Sequence, residues 1–357
     1  MSKPIPPASG GNRRGDRIAP VVILLMVAVV VVGLAGGRLL AGSTNARSSG
    51  DAAEPSHPSA PPPWPSASSE TSYAAVFKGD STGATDVTAA LKAFLESHDG
   101  ERVALAVDGR YAIRQLTFTA KDLTVDFRGS RLQGTLQGAN GIFLIRSSSH
   151  IVINDPYVVG TGYAWVGGES NPDQFEHGIE IDSGSDIVIN NPITRDTRGD
   201  GIYVGFDSGK NAPATGIVIN DPNIEYASRN GISPVAGAVS IFGGHINHVG
   251  LHGVDFEPNY DEGARSIIGV VDGVDIRHVQ DLDVAGLTGF AVAAGGQISA
   301  PRPSITVERV TGDTLRMLLP YTAVVIVRDN VSDVEAKVDF DGSVSVTFTN
   351  NVRLTRK

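Results

Sequence analysis

Short bursts of alternating apolar and polar residues, broken by Gly, Asn and Pro, run through most of the chain, and three of them use nearly the same words. Ile151-Val152-Ile153-Asn154-Asp155-Pro156 returns as Ile187-Val188-Ile189-Asn190-Asn191-Pro192 and as Ile217-Val218-Ile219-Asn220-Asp221-Pro222, 36 and 30 residues apart. A second phrase, a small or polar residue followed by Gly and an apolar residue, travels with it. Its copies are Asn140-Gly141-Ile142, His177-Gly178-Ile179, Asp200-Gly201-Ile202, Asn230-Gly231-Ile232, His252-Gly253-Val254 and Thr288-Gly289-Phe290. Spacings of 22, 23 and 30 residues fit one coil of about three short strands, while 36 and 37 imply inserted loops. Alternation of strand length that recurs with no helix between copies predicts an all-β fold, a β-solenoid. Ile142, Ile179, Ile202, Ile232 and Val254 would then stack as one buried row. Asn154, Asn190 and Asn220 would stack at a turn, their amides bonding along the column.

Ahead of the first coil the period changes. Val87, Ala90, Leu91, Phe94 and Leu95 fall on one helical face, with Thr85 or Asp86 able to cap the start and Gly100 the end. A single amphipathic helix there suits an end cap, because an open first coil would expose apolar side chains and unpaired strand edges. Further upstream, Arg13, Arg14 and Arg17 precede an uncharged apolar run from Ile18 to Gly37. Its length suffices to cross a bilayer, and the basic residues before it place the amino terminus in the cytoplasm. The expected organisation is a cytoplasmic tail over 1–17, a transmembrane helix over 18–40, a disordered Ser/Pro/Ala-rich stalk over 41–72 and the β-helix domain over 73–357. The folded part would stand outside the membrane. A cleaved signal peptide with small residues at Ala41-Gly42-Ser43, and so a secreted protein, is the alternative.

Charge narrows the partners. The first 47 residues carry six basic side chains and one acid, and the whole chain totals −10, so the remainder carries −15. Nucleic acid and anionic membrane surfaces are poor partners for such a domain. With no Cys, the fold depends on packing and ladders alone.

Gly79-Asp80 and Gly83-Ala84-Thr85-Asp86 leading into Ala89-Ala90-Leu91, then Val103 to Tyr111 and Leu123-Thr124-Val125-Asp126-Phe127-Arg128-Gly129, carry a family likeness. Together they resemble the opening of pectate-lyase-superfamily right-handed parallel β-helix proteins, and with the repeats the resemblance spans roughly residues 75 to 330. It implies a right-handed parallel β-helix whose first coil is capped by the short helix. The superfamily holds hydrolases, lyases, epimerases and phage tail proteins, so the fold does not choose the reaction.

Along Gly178-Ile179-Glu180-Ile181-Asp182 the isoleucines point inward, which sends Glu180 and Asp182 outward on one face. The equivalent outward positions are Tyr203 and Gly205, Ser233 and Val235, Asp255 and Glu257, then Ala291 and Ala293. The bend residues His177, Asp200, Asn230 and His252 adjoin them. Asp255 and Glu257 form the sharpest pair. Their expected separation of about 6.5–7 Å lies near the lower edge of the roughly 6.5–9.5 Å that an inverting glycosidase needs to admit a water. The expected catalytic group is therefore Asp255, Glu257, Asp200 and His252, with Glu180, Asp182, Tyr203, Asn230, His177 and Trp165 binding a polysaccharide substrate.

The resemblance offers three comparisons. Thr197-Arg198-Gly199-Asp200-Gly201-Ile202 and His252-Gly253 are similar to polygalacturonase-type motifs, but Arg229-Asn230 stands where a pair of Asp is expected and no Arg-Ile-Lys follows. His252-Gly253-Val254-Asp255 resembles the Tyr-Gly-Phe-Asp-Pro-His motif of mannuronan epimerases and alginate lyases, with both proton-transfer groups changed. Gly253-Val254-Asp255-Phe256-Glu257-Pro258-Asn259 resembles a Gly-Ile-Asp-Ile-Glu-Pro-Asn stretch of bacterial β-helix proteins. Three reactions stay open: glycoside hydrolysis, a Ca²⁺-assisted lyase or epimerase reaction, or no reaction in a glycan-binding wall module. No cofactor is expected beyond that Ca²⁺, which the acids at Glu180, Asp182, Asp255 and Glu257 could hold. A zinc site is not expected, because His245 and His248 point to opposite faces of an alternating strand.

Overall fold

A computed structural model describes residues 72–138, 140–163, 172–207, 212–235, 237–257, 267–279, 291–294 and 304–312, together with strands to residue 354. The expected tail, transmembrane helix and nearly all of the stalk lie outside the described residues, as does Trp165. Among the described residues no helix is long and apolar enough to cross a membrane.

Three parallel sheets wind around one core, with 11, 9 and 11 strands. The first face stacks, among others, Arg102–Ala104, Thr124–Asp126, Ser149–Asn154, Ser185–Asn190, Thr215–Asn220, Gly237–Phe242 and Ile267–Asp272. The second runs from Thr82–Asp86 through Ile193–Thr197, Asn223–Ala227 and His245–Val249 to Thr311–Gly312. The third holds Phe143–Arg146, Ile179–Asp182, Ile202–Asp207, Ile232–Pro234, Val254–Phe256 and Val292–Ala294. Its one antiparallel addition is Ala212–Pro213 against Ile202–Asp207. The domain is thus a parallel β-helix.

The thrice-written phrase sets the register on the first face. Ile151, Ile187 and Ile217 stand in one column and Ile153, Ile189 and Ile219 in another, all buried. Asn220 donates to Asn190 and Asn190 to Asn154, each at 2.8 Å. The column ends on charge: Asn154 donates to Asp126 at 2.6 Å, and Asp126 also accepts from Arg102 at 2.6 Å. A turn amide inside a column needs partners above and below, and an identical neighbour in register can supply both.

The Gly phrase keeps step less faithfully. Ile179, Ile202, Ile232 and Val254 pair as expected, but Phe143 rather than Ile142 faces Ile179, so the first copy is out of step by one residue. At the other end Val292 pairs Val254 and Ala293 pairs Asp255, while Thr288-Gly289-Phe290 lies outside the described residues. Phe256 explains another irregularity. Its ring fills the space where a Cβ on Gly269 would lie, 2.2 Å from Cε1, so the glycine and the aromatic side chain of adjoining coils act as one volume.

The capping helix α1 spans Thr88–Glu96, shorter than the sequence pattern allows, because Thr82–Asp86 is already a strand of the second face. Asp86 accepts the Thr88 N–H at 2.8 Å, and Leu91 and Leu95 are buried. Phe94 meets Phe77 with ring centroids 5.3 Å apart, closing the end of the core.

Asn190→Ala would leave Asn154 and Asn220 each short of one partner inside the column. The expected loss is about 1–3 kcal/mol, read as a lower urea midpoint with an unchanged slope.

Candidate functional site

The third face and the bend that leads into it carry the site. His177, Asp200 and Asn230 each accept a hydrogen bond from the main chain of the next coil. Asp200 N–H donates to His177 Nδ1 at 3.1 Å, Asn230 N–H to Asp200 Oδ1 at 2.9 Å, and His252 N–H to Asn230 Oδ1 at 3.0 Å. Polar residues recur at this bend because main-chain donors there need an acceptor. His177, Asp200 and Asn230 are at most 2% exposed, which corrects the expectation that they line a solvent-facing stripe. Only half-buried His252 at the ladder's end retains access.

The acids of the third face fall into two pairs in the same two columns, since Glu180 is registered with Tyr203, and Tyr203 with Ser233, one coil before Asp255. The first pair is sealed. Glu180 and Asp182 are each 7% exposed, and Arg146 bonds Asp182 at 3.0 Å. Burial, then the Asp182 charge and a hydrogen bond between the two carboxyls, pushes Glu180 up to about 9, so the pair holds one proton at neutral pH. Alternation correctly assigns the side of the strand from which these acids emerge. It could not foresee that the bend at Gly141 would close over Glu180, where an added Cβ would lie 2.2 Å from Oε2. Tyr203 is half-buried; its ring stacks on His177 at 4.5 Å and 12° and lies over Gly205.

The second pair is less closely covered. Asp255 and Glu257 are half-buried and lie two residues apart on one face of Val254–Phe256 and its extension. Burial raises both carboxyls to about 7 against the pull of Arg229, and the charge of Asp255 adds to the rise at Glu257. Together they bind one proton near neutral pH, shared over the pair rather than fixed by burial on either member. Burial also pushes His252 down to about 4. Its imidazole is therefore neutral at pH 7 and is no proton donor there.

Two residues of this site were not among the expected functional groups. Arg229, in the position just before the bend ladder, is the counter-charge for the site. Its Nη1 stands 3.7 Å from Asp200 Oδ2, and its charge also reaches Asp255 and Glu257. Burial alone would raise Asp200, but Arg229 and the Asn230 N–H hold it below the usual carboxylate range. Glu176 is fully buried and ties down the loop after Gly160, accepting from Thr161 N–H at 2.8 Å and Gly138 N–H at 3.3 Å. Both occupy the column just before the ladder. The signal in the sequence was their place beside a bend, which reads as surface unless the bend is known to be buried.

Among the described residues no group of three or more His, Asp or Glu side chains is arranged to hold a metal ion. The four acids considered for Ca²⁺ cannot form one site, because three coils, about 14 Å, separate the two pairs.

No protein-family model and no curated protein matches the sequence. Among solved structures the chain is similar to a candidate glycosyl hydrolase from Parabacteroides merdae, at 12% identity and a TM-score of 0.40 over 65% of this chain and 91% of that one. It is also similar to PfbA, a surface adhesin of Streptococcus pneumoniae, at 8% identity and a TM-score of 0.48 over 76% and 81% of the two chains. A third likeness is to the catalytic unit of a thermostable GH87 alpha-1,3-glucanase from Streptomyces thermodiastaticus, at 15% identity and a TM-score of 0.30 over 78% and 67%. Scores of 0.48 and below leave the function to be argued from the chain's own geometry.

Glu180 gives a direct check on the sealed pair. A carboxyl that holds its proton more tightly folded than unfolded contributes full stability below its unfolded value, and that contribution is lost as pH rises through its folded value. For Glu180 the window runs from 4.5 to about 9. Glu180→Gln, which cannot ionise, should flatten the fall of the thermal midpoint across this window and melt above the wild type at its alkaline end. Equal slopes would mean that no extra proton is held.

Proposed function

We propose that the protein is an extracytoplasmic carbohydrate-active enzyme that hydrolyses glycosidic bonds of a polysaccharide at Asp255 and Glu257. The observation that supports this most is the contrast between two acid pairs of equal spacing. One is sealed and salt-bridged, whereas the other is half-buried and holds a proton near neutral pH, the condition for one carboxyl to donate while its neighbour accepts. Hydrolysis is preferred to uronate elimination or epimerisation, because among the described residues Arg229 is the cation whose charge reaches Asp200, Asp255 and Glu257. With one proton on the pair, a substrate carboxylate would add a third negative charge beside that cation, so a neutral glycan suits the site better.

The N-terminal part of the reading is also a proposal: the run from Ile18 to Gly37 anchors the chain and residues 41–72 space the β-helix from the membrane. The right-handed winding rests on the general preference of parallel crossovers for that hand. One observation favours a second reading, a glycan-binding module without catalysis. The bend residues His177, Asp200 and Asn230 each have a structural duty as main-chain acceptors, so their polarity does not require a reaction.

A panel of neutral and acidic polysaccharides, incubated with wild type and with an Asp255→Asn/Glu257→Gln variant, separates the two. Loss of at least about 100-fold in released reducing ends in the variant is expected from removal of general acid and base. Equal product from both proteins would remove the site, and binding without product from either would favour the module.

A further inference from the structure

We propose that Asn230 sets the division of labour within the second pair, keeping Asp255 as the ionised member and leaving the proton on Glu257. This rests on the hydrolytic reading and assigns its roles: Asp255 is the base and Glu257 the acid.

The reason lies in how the ladder immobilises one amide. Asn230 is 1% exposed, and its N–H is held by Asp200 Oδ1 at 2.9 Å. Its side-chain Oδ1 accepts the His252 N–H at 3.0 Å. Rotation of the amide by half a turn would press an NH₂ group against that N–H, so the orientation is fixed. The Nδ2 group must then face the other way, where it donates to Ser233 Oγ at 3.0 Å and to Asp255 Oδ2 at 3.4 Å. A group that can only donate favours a carboxylate over a carboxylic acid at Asp255.

The other charges nearby do not sort the pair in this way. Among the described residues, Arg229 attracts both carboxylates, Glu257 more than Asp255, and so works against this order, Asp200 repels both, and His252 is neutral at pH 7. Ionised Asp255 in turn raises the proton affinity of Glu257. In the reaction, water oxygen bonds to the anomeric carbon as the glycosidic C–O bond breaks. The water gives its proton to Asp255, and Glu257 gives its proton to the leaving oxygen. Return of the proton from Asp255 to Glu257 resets the pair, and the net change is addition of one water. Asn230 touches no reacting atom and is a positioning residue.

The test needs no substrate. Full-length protein labelled with carbon-13 at Asp and Glu carboxyls is titrated by NMR, with Asp255→Asn and Glu257→Gln used to assign the signals. As pH falls, Glu257 should take the pair's first proton and Asp255 the second. Asn230→Asp keeps the acceptor that His252 requires, as Asp200 does one coil earlier, but replaces the donor facing Asp255 with a carboxylate oxygen. In that variant the uptake of Asp255 should move upward past that of Glu257. Asp255 protonating first in the wild type, or an unchanged Asp255 titration in Asn230→Asp, would overturn the assignment. Should the variant not fold, the wild-type order decides alone. The expected order with no glycan cleaved would count against hydrolysis and leave Asn230's hold on the proton standing.

Discussion

Every feature of this domain depends on the main-chain bonds that run from one coil to the next. Parallel strands in register, about 4.8 Å apart, place each residue beneath the same kind of neighbour for as long as the register lasts. An apolar column such as Ile153, Ile189 and Ile219 then buries itself without a second layer of structure. The same constraint is unforgiving toward polar residues, since a buried amide or carboxyl can only be satisfied by what lies one coil above or below. Asparagine resolves this at one turn by bonding to its own kind. At the other bend the solution is mixed, and His, Asp and Asn each lend an acceptor to the next main-chain N–H.

That second solution creates the chemistry. A ladder that must end or change identity brings unlike groups into contact, and in this chain it brings a carboxylate at Asp200, an amide at Asn230 and an arginine at Arg229 into one buried patch. Asp255 and Glu257 stand at the margin of that patch, half-buried, where desolvation raises their proton affinity without removing access. Reactivity here is a by-product of architecture: the groups that satisfy the backbone also decide the charge state of the groups that do not.

The sequence made the fold legible because apolar repeats and stacked amides use one residue type per position, and a repeated word is hard to miss. Register failed at Asn140-Gly141-Ile142, where a Gly flanked by plausible residues imitates the bend one residue out of step. The site was half legible. Alternation put Glu180, Asp182, Asp255 and Glu257 on the correct side of their strands, but the side of a strand says nothing of what lies over it. Arg229 was read as the loss of an expected acid. Its gain, a cation whose charge reaches three carboxyl groups, belongs to contacts between coils that a linear pattern does not encode.

The sealed pair at Glu180 and Asp182 is the most instructive comparison within the chain. It repeats the spacing, the face and the column positions of Asp255 and Glu257, so none of these properties alone can make a catalytic site. What differs is solvation and the placing of the cation. Arg146 bonds Asp182 directly, and Glu180 is left with its proton locked in, its affinity too high for exchange near neutral pH. At the second pair the cation is held back by Asp200, close enough to temper both carboxyls but bonded to neither among the contacts described. A proton that is to be given and regained must sit between these extremes.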